Sequence, residues 1–277
     1  MLQNKAMLVN LSISRWAAKK TDKKVTREVT RAHGATDDAG DFRKTLVDKA
    51  HLAALKKSES AMRANHYRLA LPWEDDGDRL LPSALFPEYT QTHSKLKLAD
   101  EQLRREFIAL YPSLVNGARG RLGSMYDPKD FPDPSVIGDK FAIKMFMKPI
   151  PDAKDFRVDV GNEAAAIIRA ELTAENDRKF ELAMKDVYSR IHDQVKHISE
   201  TLNKEDPRIF DSLVNNAKNL IACLPGLNLT NDPFITELAA DLDAMLPHPD
   251  ALRTSPTTRQ RTADAADAIV AKMAGYV

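Results

Sequence analysis

Residues 162–203, NEAAAIIRAELTAENDRKFELAMKDVYSRIHDQVKHISETLN, carry the most regular pattern in the chain and decide its fold class. Phe180, Met184, Val187, Ile191, Val195, Ile198 and Leu202 step by four and three, the order that lines one face of a helix. A helix from Asn162 to Asn203 would reach about 60 Å at ~1.5 Å per residue, longer than a compact domain of this size needs. Its apolar face must be covered. The helices expected over Pro207–Leu224 and Pro233–Leu246 are short and could shield only part of it, so a second copy or a partner is expected to cover the remainder. Those seven residues are therefore the candidate oligomer or partner interface, with a homo-oligomer expected.

Upstream the period changes from 3.6 to two. Phe141, Ile143, Met145 and Met147 alternate within Lys140–Lys148, and Phe156–Val160 alternates again after the Pro149–Asp152 turn. The two read as a hairpin. A two-stranded ribbon is marginal alone, so Val9–Arg15, with Val9, Leu11 and Ile13 on one face, is the candidate third strand. Helical spacing covers Phe42–Leu69 and a segment from Ser83 to Leu110, which Pro112 is expected to interrupt before a short helix over Ser113–Met125. Between these helices, Leu71–Pro82 (LPWEDDGDRLLP) holds two prolines and a glycine, a pattern that excludes a helix or a central strand. Beyond residue 203, Pro225-Gly226 ends a helix, Asp232-Pro233 opens another to Leu246, and Pro247–Pro256 is a break before a last helix over Thr257–Gly275. The expected fold is α+β and mainly helical: a small antiparallel three-stranded sheet backed by long helices. A mixed domain over residues 1–161 would carry a helical C-terminal region, 162–277, packed on it.

Composition narrows the function classes. The chain has 277 residues, 43% of them hydrophobic, enough for a real core. Lys+Arg 41 against Asp+Glu 40 gives +1, so the overall balance names no partner. One cysteine, Cys223, excludes a disulfide framework and a cysteine-based zinc site. Apolar runs of about five residues are too short for a membrane span, and the amino terminus does not read as a signal peptide. A soluble chain of the cytoplasm is expected.

Catalytic motifs are missing. There is no Walker loop, no Gly-x-Gly-x-x-Gly, and no His-Glu-x-x-His run. His192 and His197 are five apart, which sets them about 140° apart around a helix. Cys223 lies in an apolar turn and reads as a buried thiol. The loop Glu74-Asp75-Asp76-Gly77-Asp78 reads as a tight turn whose carboxylates pair with Arg79, with Trp73 as a core anchor and no tightly held metal. Gly117-Ala-Arg-Gly120-Arg-Leu-Gly123 reads as a helix end with a glycine stop. No enzyme, cofactor or metal site is expected.

The sharpest local charge imbalance is Arg15–Arg31. Arg15, Lys19, Lys20, Lys23, Lys24, Arg27 and Arg31 face only Asp22 and Glu28, and His33-Gly34 should end the segment. Such a patch suits a nucleic-acid backbone, with Trp16 available for stacking. These seven residues are the candidate nucleic-acid contacts, with single-stranded DNA as the candidate partner.

Three runs together resemble a known family: Leu8–Arg31 with its Asp22-Lys-Lys-Val-Thr-Arg-Glu-Val29 core, Leu71–Pro82, and Pro149–Val158 (PIPDAKDFRV). They resemble an uncharacterised family of bacteriophages, prophages and plasmids, number 3150 among the domains of unknown function, over roughly residues 8–200. The resemblance implies a phage or mobile-element origin and action in the bacterial host cytoplasm. Members are often encoded near MoxR-type ATPases and von Willebrand A proteins, which implies a protein partner from such a system. No catalytic residue carries over. Two functions are expected from the whole: a non-enzymatic, self-associating structural or interaction component, or a single-stranded DNA binding or annealing protein.

Overall fold

The computed structural model describes residues 2–75, 77–155 and 160–276. Its strands are β1 (Ala6–Ser14), β2 (Lys19–Thr21), β3 (Arg43–Thr45), β4 (Leu71–Pro72), β5 (Asp78–Pro82) and β6 (Ala142–Lys148). The helices of its first half are α1 (Lys23–Ala32), α2 (Ala53–Leu69) and α3 (Phe86–Leu122). Those of the second half are α4 (Asn162–Leu202), α5 (Asp211–Leu227), α6 (Pro233–Met245), α7 (Pro249–Thr254) and α8 (Pro256–Lys272). The fold is α+β and mostly helical, with a small antiparallel sheet and a long helical stretch at the carboxyl end. Among the described residues no helix is long and apolar enough to cross a membrane.

The chain divides into two compact units, each assembled from separated segments. The first comprises residues 1–11, 65–90 and 145–277; the second comprises 12–64 and 91–144. The division therefore does not fall at 161/162. The C-terminal helices complete the same core as the sheet. Each unit has its own apolar core.

In the first unit the sheet order is β4-β5-β1-β6, and β1 pairs antiparallel with β5 through Ala6↔Pro82 to Asn10↔Asp78. The expected strands at Val9–Arg15 and Lys140–Lys148 appear as β1 and β6. Of the expected hairpin partner Phe156–Val160, residues 156–159 lie outside the described residues. The sheet instead draws β4 and β5 from Leu71–Pro82, which the sequence marked as irregular. Pro72 and Pro82 each end a strand, so neither removes a donor from mid-ladder. Gly77, at φ +122°, makes the turn between them, and a Cβ there would lie 2.9 Å from the Asn10 side-chain nitrogen. Leu8 and Val9 are both buried, because β1 is an inner strand covered on two faces. Trp73 is 5% exposed, the anchor the sequence suggested.

α4 runs as expected, and its stripe is covered within the chain. Met184, Val187, Ile191, Val195, Ile198 and Leu202 are buried and Phe180 is half-buried, under α8 above all and then α5 and α6. α5 does not stop at Pro225-Gly226. Gly226 packs so closely on Leu85 that a Cβ would lie 2.5 Å from that side chain, so the glycine serves contact rather than termination. The expected break at Pro247–Pro256 contains the short α7.

In the second unit β2 pairs antiparallel with β3, Lys19↔Thr45 to Thr21↔Arg43. Phe42–Leu69 is accordingly not all helix: its start is strand and α2 begins at Ala53. α3 continues through Pro112. Phe107 and Tyr111 before the proline and Ala118 and Leu122 after it are buried in one core, and the Tyr111 hydroxyl donates to the Pro132 carbonyl at 2.9 Å. Packing on both sides outweighs the lost backbone bond. Gly123, at φ +54°, ends the helix.

Burial of Ile191 sets a stability test. Ile191→Ala should cost about 2–5 kcal/mol in urea unfolding with the slope unchanged. Ile191→Glu should unfold the protein rather than release folded monomers. A loss below about 1 kcal/mol for the alanine variant would contradict the covered stripe.

Candidate nucleic-acid interface

α1 is built by its first residue and held by its neighbours. The Asp22 carboxylate caps the helix, accepting from the amides of Lys24 (3.1 Å) and Val25 (3.2 Å). The Asp22 amide donates to the Phe42 carbonyl at 2.9 Å, and the Phe42 amide donates to the Thr26 hydroxyl at 3.0 Å. The segment entering β3 is thereby pinned to both the cap and the first turn of α1. Beneath the ribbon, the buried Lys44 ammonium pairs with Asp130 (2.7 Å) and Asp22 (3.2 Å) and donates to the Met125 carbonyl at 2.6 Å. Burial alone would lower the Lys44 pKa, but Asp130 and Asp22 outweigh it and hold the ammonium above its ordinary value. The Val25 amide, joined by Lys44, holds the Asp22 carboxyl below its ordinary 3.8.

On this frame six of the seven predicted basic residues are exposed: Lys19 and Lys20 on β2, and Lys23, Lys24, Arg27 and Arg31 on α1. None of the six forms an ion pair among the described residues. At 100° per residue, the four on α1 lie within about 100° of one another around the axis, and Lys23, Arg27 and Arg31 repeat every ~6 Å along it. Arg43 on β3 is exposed as well and joins them across the ribbon from Thr21. Arg15 does not belong to the surface set. Its guanidinium pairs at 2.8 Å with Glu59, a nearly buried carboxylate that needs a countercharge. Burial pushes the Glu59 carboxyl up, and Arg15 opposes that shift.

Trp16 is not available for stacking either. It packs edge-on to Tyr111 (5.4 Å between centroids) and beside Phe107 (6.3 Å), in the core. The aromatic that does reach the surface is Phe42, 37% exposed. It lines a cleft of about 330 Å³ with Val29, Thr30 and His33 of the other flank of α1. Asp41 also lines that cleft, so the positive surface is the outer flank of α1 and the ribbon. Phe42 and Arg43 were invisible in the sequence because they sit in a segment whose spacing imitated a helix.

The other candidates are held by structural partners. Asp78 pairs with Lys148 and accepts from Asn10 at 3.2 Å; burial would raise its carboxyl, but those two partners bring it below its ordinary value. Glu74 meets Lys179 at 3.3 Å. Arg79 does not pair with that loop: its guanidinium donates to the Ala70 carbonyl at 2.9 and 3.2 Å and lies over the Tyr67 ring. Asp76 lies outside the described residues. Cys223 is buried, accepts from Arg68 at 2.9 Å, and burial raises its thiol pKa. Comparison with family models, curated proteins and solved structures finds no match to this chain.

The cap and the Lys44 pair make Asp22 testable by pH. A depressed carboxyl stabilises the folded state fully above the unfolded-state value, and that contribution fades as pH falls through the folded value. Asp22→Ala should therefore cost about 1–3 kcal/mol in thermal unfolding at pH 7, with the gap to wild type narrowing below about pH 4. Asp22→Asn, which can still cap, should recover part of the loss. A gap independent of pH would contradict the Lys44 pairing.

Proposed function

We propose that the protein is a non-enzymatic binding component that holds single-stranded nucleic acid by its phosphates along α1 and the β2–β3 ribbon. The observation that carries this reading is the exposed, unpaired row Lys23, Arg27 and Arg31, flanked by Lys19, Lys20, Lys24 and Arg43. Phosphates are met by cations that have no competing carboxylate, and binding gains free energy from released counterions. Phe42 favours a single strand, because an unpaired base can stack on an exposed ring whereas a paired base offers only its edge. In the setting that the family resemblance implies, the strand is a phage or plasmid intermediate in the bacterial cytoplasm, and an ATPase and von Willebrand A system supplies the protein partner. Self-association through Phe180–Leu202 would require opening the core that buries them, so a second copy would have to dock elsewhere.

Fluorescence anisotropy with a labelled oligothymidine tests the reading. Affinity should fall steeply with salt. Lys23→Ala, Arg27→Ala and Arg31→Ala together should lower it at least tenfold and flatten the logarithmic salt slope by about 2, the value for three single-strand phosphate contacts. Phe42→Ala should weaken binding about fivefold or more. Absence of binding at low salt, or an unchanged slope in the triple variant, would remove the proposal; equal affinity for a duplex would remove its single-strand part.

A further inference from the structure

The first unit contains a second cationic site, in a different part of the sequence, that the nucleic-acid surface does not use. A cavity of about 410 Å³ lies between the end of α4, the 203–210 connection and the start of α5. Its floor is buried, formed by Thr201 and Leu213, and its rim carries His197, Lys204 and Arg208. None of these three forms an ion pair among the described residues. The nearest acidic residue of α5, Asp211, is already taken by Arg253, which also holds Asp250 at 2.7 Å. Lys204 and Arg208 are thus left without an ion-pair partner among the described residues, and the Asp206 carboxylate lines the same cavity.

The second observation is Phe210. Its ring is 67% exposed, although it lines a cavity floored by Leu213 and Thr201. Leaving a phenyl ring in water forgoes the burial that apolar surface favours. A flat ring laid on it would recover that burial. The cavity therefore offers four complementary features together: cations for an anionic group, an aromatic face for a planar ring, a carboxylate, and the neutral hydrogen-bonding groups Ser212 and Asn216.

We propose that this cavity binds a mononucleotide, with phosphate at Lys204 and Arg208, base against Phe210, and the Asp206 carboxylate accepting from sugar hydroxyls. An inorganic anion alone would leave Phe210 and Asp206 without a role. An uncharged aromatic ligand would leave Lys204 and Arg208 without one. Only a ligand joining a planar ring to an anion through a hydroxylated linker uses the whole lining.

Isothermal titration of the full chain with AMP tests the assignment, with inorganic phosphate and adenosine as separate arms. AMP should bind at one site with a Kd below about 1 mM, and phosphate and adenosine each at least tenfold more weakly. Lys204→Ala with Arg208→Ala should weaken AMP about tenfold or more. Phe210→Ala should weaken AMP about fivefold while leaving phosphate unchanged. These side chains are exposed, so the variants should melt close to wild type. The triple variant at Lys23, Arg27 and Arg31 should bind AMP as wild type does, which separates this cavity from the α1 surface. No saturable heat with AMP to about 10 mM, phosphate binding as tight as AMP, or full AMP affinity in Phe210→Ala would each overturn the proposal.

Discussion

The α4 stripe is the constraint on which the first unit depends. A helix of 41 residues with a continuous apolar face has no stable existence in water unless that face is covered. Coverage comes from α5, α6 and α8, each amphipathic and each too short to be stable alone. They leave the chain as a C-terminal run only in sequence; in space they share one core with Leu8, Val9, Leu80 and Leu81 of the sheet. Polar groups then fix where α4 lies. Arg190, in mid-helix, donates to the carbonyls of Arg68 (2.9 Å) and Ala70 (3.0 Å), and Arg79 donates to Ala70 as well. Two guanidinium groups thus satisfy the orphan carbonyls at the end of α2, where a helix dipole also favours positive charge.

Charge does two separate jobs in this chain, and the near-zero total conceals both. Some cations are consumed by the fold: Arg15 by Glu59, Lys44 by Asp22 and Asp130, Lys148 by Asp78, Arg253 by Asp211 and Asp250. Glu59, Asp22, Asp130 and Asp78 are carboxylates that burial would otherwise penalise, whereas Asp211 and Asp250 lie at the surface. Other cations are left over on exposed helix and loop surface. Two groups of them stand close together, at α1 with the ribbon and at the connection from α4 to α5. Sequence counting cannot separate the two sets, because Arg15 and Lys19 look alike until Glu59 is placed beside one of them.

What the sequence conveyed well was periodicity over long distances. α4 needed only its own heptad-like steps, and β6 only its alternation. What it conveyed poorly depended on contacts between distant segments. Leu71–Pro82 reads as irregular because prolines are counted as breakers wherever they fall; their position at strand ends shows only once β5 is paired with β1. Pro112 and Pro225 mislead in the same way, since core packing on both sides carries a helix across a missing donor. Gly226 reads as a stop until Leu85 is seen against it. In the candidate interface, Asp22 as a cap and the exposed basic residues were visible from residue type and spacing. Phe42 was hidden, because its placement follows from hydrogen bonds of its amide to the Thr26 hydroxyl and of its carbonyl to the Asp22 amide, 16 and 20 residues away.

The two candidate sites also differ in how tightly they are bound to stability. Lys204, Arg208 and Phe210 contribute little to the core, so their chemistry can vary without loss of fold. The α1 surface is less independent. Its outer cations are free, but the helix that displays them begins at Asp22, and Asp22 is shared between capping α1 and neutralising Lys44. Losing that carboxylate would fray the first turn, where Lys23 and Lys24 sit, and leave the buried ammonium with Asp130 alone. The display of the basic row is therefore coupled to an ion pair beneath it. In such an arrangement a strand bound along α1 would stabilise the same first turn that the cap holds, so that binding and local folding of the second unit would reinforce each other.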